Sequence, residues 1–99
     1  MADAVPIACT LTSGDLAVQA ADWRRLRAAS GLGRQETADG LRLRFRADAG
    51  VEQELRRLVA TENVCCSWAA WSVETAVDEV TVLISSSGDA VAAAQALFT

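Results

Sequence analysis

Glu62, Cys65 and Cys66 close the segment Leu55-x-x-Leu58-Val59-x-x-Glu62-x-x-Cys65-Cys66. At about 100° per residue, a helix gathers Leu55, Leu58, Val59, Cys65, Cys66 and Ala69 on one face, with Glu62 near its middle. A purely structural helix would carry an apolar residue there, because burying an unpaired carboxylate is costly. Two thiols and a carboxyl on a core-directed face therefore form the clearest candidate site. Adjacent cysteines have Cα atoms about 3.8 Å apart, short of the roughly 4.4–6.8 Å that disulfides span. A Cys65–Cys66 bond inside a helix is thus strained, and either the pair stays dithiol or one member bonds elsewhere. Cys9 is the expected third member, since alternation along Ile7-Ala8-Cys9-Thr10-Leu11 puts Ile7, Cys9 and Leu11 on one strand face.

Three thiolates and a carboxylate suit a thiophilic ion. Zn(II) accepts three sulfurs and one oxygen in a tetrahedron. Hg(II), Cu(I), Cd(II) or As(III) would use the sulfurs and leave Glu62 as a neighbouring base. A soft-metal chaperone, buffer or heavy-metal detoxification factor is the leading expectation, with Cys9, Cys65, Cys66 and Glu62 as the metal site. A thiol enzyme is the second, with one thiolate attacking and another resolving; two cysteines and an acid are also what organomercurial lyases use to protonate a carbon–mercury bond. The third is an interaction module, possessing buried cysteines that pack as small hydrophobes and a sheet edge or Trp surface that serves a homodimer. Glu62 has a bland alternative too: an ion pair with an arginine such as Arg27 at a helix–helix contact.

Composition narrows the chemistry. Histidine and tyrosine are absent, which removes the commonest general base and metal ligand and the phenolic acid. Three cysteines, an odd number, favour free thiols or metal ligands over a disulfide framework. A net charge of −4 argues against nucleic-acid binding, which needs positive charge for the phosphates. No apolar run reaches a membrane-spanning length, and the first six residues lack a basic leader segment, so a cytoplasmic protein is expected. With 99 residues, 52% of them hydrophobic, the expectation is one globular domain over residues 1–99.

These residues need elements to position them. After the strand at 7–11, Thr12 reads as an N-cap, and Leu16, Ala20, Trp23 and Arg27 recur at helical spacing from Ser13 to Ser30, with Gly31 as the stop. Strands at 35–38 and 41–46 flank Asp39-Gly40, a hairpin signal. In the second of them Leu41, Leu43 and Phe45 face one way and Arg42, Arg44 and Arg46 the other. Asp48 can cap a helix from Ala49 to Trp68 or Ala70. Strands at 71–77 and 80–86, joined at Asp78-Glu79, precede a last helix from Ala90 to Phe98. The order β-α-β-β-α-β-β-α implies an α+β two-layer sandwich, a mostly antiparallel sheet covered by helices. Trp68 and Trp71 read as core or edge packing, with walling a pocket as the functional alternative. Trp23 reads as a core anchor, and the arginine stripe as a solvated face pairing with residues such as Glu36 and Glu74.

The strand Pro6-Ile7-Ala8-Cys9-Thr10-Leu11, the Trp23-Arg24 helix, Gly40-Leu41-Arg42-Leu43-x-Phe45 and Glu62-x-x-Cys65-Cys66 together resemble a family of small, mostly uncharacterised actinobacterial proteins. The resemblance covers nearly the whole chain and is most specific at the cysteines. It implies an association with metal-responsive regulators and mercury resistance, and hence a thiophilic ligand. Ser67-Trp68 departs from the Pro-aromatic segment usual after the cysteine pair.

Overall fold

The computed structural model describes residues 13–65 and 67–98. The strand expected at 7–11 lies outside them. The described elements are α1 (Ser13–Ser30), β1 (Gly31–Thr37), β2 (Gly40–Arg46), α2 (Val51–Cys65), β3 (Ala70–Thr75), β4 (Glu79–Ser85) and α3 (Ala90–Gln95). The strands form one antiparallel sheet in the order β1-β2-β4-β3, and the helices pack on it in an α+β fold.

Strict alternation in the two central strands sets the core. Leu41, Leu43 and Phe45 of β2 stand directly opposite Ile84, Val82 and Val80 of β4, and all six are buried. Leu55 and Leu58 of α2 are buried with them. The outward side of β2 carries Arg42, Arg44 and Arg46, all exposed. The expected pairing of this stripe with Glu36 and Glu74 is corrected. Glu36 stands opposite Leu41 and so shares the inward face, while β4 separates Glu74 from β2. Arg44 instead grips Glu79 with Nε and Nη2 at 2.8 and 2.9 Å, and Arg46 meets Asp48 at 3.3 Å.

Several boundaries move for local reasons. β1 begins at Gly31 rather than Gln35, with a bulge between Gly31 and Gly33; Gly31, expected as the helix stop, also opens the strand, and glycine tolerates that irregular pairing. The hairpin loop is Ala38-Asp39, because Thr37 and Gly40 already pair. Gly40 is required for close approach instead of turn geometry: a Cβ there would lie 1.9 Å from the Ile84 carbonyl oxygen. α2 begins at Val51, whose N–H donates to the Asp48 carbonyl, and the Asp48 side chain is engaged by Ser30 Oγ at 2.9 Å. α3 stops at Gln95, where Arg34 donates to the carbonyls of Gln95 and Leu97 and so satisfies a helix end.

α1 and α2 run antiparallel, as three contacts spaced along them show. Gln19 meets Leu58 and Glu62, Asp22 meets Arg57 at 3.1 Å, and Arg25 meets Glu54 at 3.4 Å. Among the described residues no helix is long and apolar enough to cross a membrane.

Two outcomes are expected. Gly40→Ala should destabilise the fold by about 1–3 kcal/mol, read from the midpoint of urea unfolding, because backbone must shift to admit the methyl. The side-chain hydrogen bonds from Arg25 and Arg57 hold the Asp22 carboxyl below its ordinary value. Its stabilising contribution is therefore complete above the unfolded-state pKa and is lost as pH falls through the lower folded value. Asp22→Asn should flatten the stability–pH curve on the acid side of about pH 4 and leave its shape near neutrality unchanged.

Candidate functional site

The inward stripe of α1 differs from the expected one. Leu16 is 40% exposed and Ala20 is exposed, whereas Gln19, Trp23, Leu26 and Ser30 are buried. Two members of the true stripe are polar because each has a hydrogen-bond partner: Ser30 donates to Asp48, and Gln19 donates to α2. Apolar periodicity alone therefore selected a face rotated away from the real one.

Glu62 sits where this stripe meets the last turns of α2 and is only 8% exposed. Its Oε2 accepts from Trp23 Nε1 at 2.9 Å and from Gln19 Nε2 at 3.1 Å. Gln19 Nε2 also donates to the Leu58 carbonyl at 3.1 Å. The alternative pairing of Glu62 with Arg27 is corrected: the Arg27 guanidinium lies 5.3 Å over the Phe98 ring. The basic side chains of this chain are all arginines, and among the described residues none forms an ion pair with Glu62. The two donors on this carboxyl are thus both neutral.

An aromatic cluster backs the carboxyl. Trp23 lies 5.0 Å from Phe98 and 5.9 Å from Trp71 between ring centroids, and Trp71 meets Phe98 edge-on at 6.2 Å. Phe98 adopts a left-handed backbone conformation, φ 60°, uncommon for a bulky residue. Trp71 is a core residue, as expected, and Trp68 packs partly buried at the core margin. The buried Trp71 Nε1 has no hydrogen-bond partner among the described residues.

The turn after α2 is fastened on both sides. Asn63 donates to the Trp71 carbonyl at 2.9 Å and accepts from the Trp71 N–H at 3.0 Å. Ser86 Oγ donates to the Trp68 carbonyl at 2.6 Å. These ties end α2 at Cys65, earlier than the expected Trp68 or Ala70. Cys65 is the last residue of α2; Cys9 and Cys66 lie outside the described residues, so only Glu62 of the four expected metal ligands has a described side chain. Among the described residues, no group of three or more His, Cys, Asp or Glu side chains could hold a metal ion.

Gln19 and Asn63 escaped the sequence reading. Gln19 stands four residues before Trp23, so a helix puts both donors on one face, which is the signal that could have found it. Comparison with protein-family models, curated proteins and solved structures finds no match.

Trp23→Phe removes one of two donors from a buried carboxyl and should cost about 1.5–3 kcal/mol in chemical denaturation. In a Glu62→Leu background the same change should cost clearly less, because its acceptor is gone; a double-mutant cycle measures the difference.

Proposed function

We propose that this protein binds a soft, thiophilic metal ion through Cys9, Cys65 and Cys66, with Glu62 as a fourth ligand or as a base beside them. Hg(II), Cu(I), Cd(II), As(III) and Zn(II) share the required affinity for thiolate. The role would be that of a metal chaperone, buffer or detoxification factor.

The observation that carries this reading is the buried Glu62 carboxyl, one helical turn before the cysteine pair, held by two neutral donors and by no described cation. Burial of a carboxylate is strongly unfavourable without a countercharge, and a metal cation held by neighbouring thiolates supplies one. Chain geometry supports the participation of Cys9. Because α1 and α2 are antiparallel, Ser13 lies about 9 Å beyond Gln19 along α1, toward the end of α2 that carries Cys65. Cys9 precedes Ser13 by four residues, a reach of at most about 14 Å. Metal binding would also release thiol protons, so affinity should rise with pH.

Titration of the reduced protein under anaerobic conditions tests the proposal, using Cd(II) or Hg(II) and following the ultraviolet thiolate-to-metal charge-transfer band. The wild-type chain should saturate at one ion per chain. The Cys65→Ser/Cys66→Ser double variant, shown by circular dichroism to be folded, should lose the band and the stoichiometric binding. Stoichiometric binding that survives this double substitution would sink the site.

A further inference from the structure

The two oxygens of Glu62 are treated unequally. Trp23 Nε1 at 2.9 Å and Gln19 Nε2 at 3.1 Å both donate to Oε2. Among the described residues no side chain donates to Oε1. Neither donor can reverse its role. An indole N–H only donates. The Gln19 nitrogen stands 3.1 Å from two acceptors at once, Glu62 Oε2 and the Leu58 carbonyl oxygen, which fixes the orientation of its amide. Oε2 is therefore committed as an acceptor, and Oε1 is the oxygen left over.

The donors are themselves immobilised. Gln19 and Trp23 are both buried. The Trp23 ring packs 5.0 Å from Phe98 and 5.9 Å from Trp71 between centroids, so it cannot follow the carboxyl if Glu62 turns away. Such a turn would leave a buried donor unsatisfied. The carboxyl is held from α1, the partner helix, while Cys65 closes α2 three residues after Glu62.

This asymmetry bears on which ion the thiolate site proposed above would take, and the step rests on that reading. Zn(II) accepts a carboxylate oxygen at about 2.0–2.2 Å beside sulfur and completes a tetrahedron of four ligands. Cu(I) is selected by soft sulfur ligands and gains little from an oxygen. A carboxylate oriented in advance therefore favours the first ion and not the second. Hydrogen-bond partners behind a metal ligand change affinity by roughly 10–100-fold.

We propose that Trp23 and Gln19 set the metal specificity of this site: by binding Oε2 they hold Glu62 as a one-oxygen ligand through Oε1, which favours Zn(II) over Cu(I). Both act as positioning residues, through Glu62 and without touching the ion.

Competition titrations of the reduced chain test this, with Zn(II) and Cu(I) each measured anaerobically against a chromophoric chelator. Gln19→Met keeps most of the side-chain volume and removes the donor, and Trp23→Phe does the same for the indole. Each should weaken Zn(II) binding roughly tenfold or more and leave Cu(I) binding within about threefold of the wild type. The ratio of the two affinities is the readout, because damage to the fold alone would weaken both ions together. Glu62→Gln should shift the ratio in the same direction, and adding Gln19→Met to it should shift the ratio little further. A wild-type chain that binds each ion one to one, with the ratio unchanged in both donor variants, would overturn the positioning role and leave the thiolate site standing. A wild-type chain that binds neither ion stoichiometrically would overturn both.

Discussion

The fold turns on a carboxyl buried between two helices. Glu62 could not occupy the inward face of α2 unless α1 brought donors to it, and α1 brings two, Trp23 Nε1 and Gln19 Nε2. Hydrogen bonding is directional, so this contact fixes the axial register of the helix pair more tightly than apolar packing would. Gln19 reinforces the register by reaching the Leu58 carbonyl one turn earlier on α2.

Other parts of the structure follow from that register. On the solvent side of the pair, Asp22, Arg25, Glu54 and Arg57 form a charged network across the two helices. Exposed pairs of this kind contribute little individually, and their positions follow from the buried contact. On the inner side the Trp23 ring, held by its own hydrogen bond, becomes the centre of an aromatic cluster with Trp71 and Phe98. The same indole therefore serves as donor to the site and as core packing, which ties the geometry near Cys65 to the sheet beneath it. At the far end of α1, Arg27 touches the same cluster through Phe98.

What the sequence disclosed depended on whether one physical rule governed a stretch. Alternation in Leu41–Arg46 and Val80–Ile84 was unambiguous because those strands bury one face against apolar residues and nothing else competes. The part of the α2 stripe formed by Leu55, Leu58 and Val59, with Glu62 on the same buried face, was equally legible. In α1 the rule failed: its buried face includes Gln19 and Ser30, whose burial makes sense only once Glu62 and Asp48 are seen as partners. The end of α2 was overextended for a similar reason, since the bonds from Asn63 to Trp71 and from Ser86 to Trp68 are non-local and override continued helical periodicity. Gly40 read as a turn residue, yet its cause is the approach of Ile84, a contact between strands far apart in sequence. The carboxyl of the candidate site was thus visible in the chain, whereas the side chains that hold it were not.

X-ray absorption spectroscopy of the Zn(II)-loaded protein tests the soft-metal reading most directly, because it counts ligands by element and distance. A shell of three sulfurs at about 2.3 Å with one oxygen at about 2.0–2.2 Å is the expected result, the oxygen being replaced by a water or lengthened in Glu62→Gln. A first shell of nitrogen and oxygen alone would contradict the account.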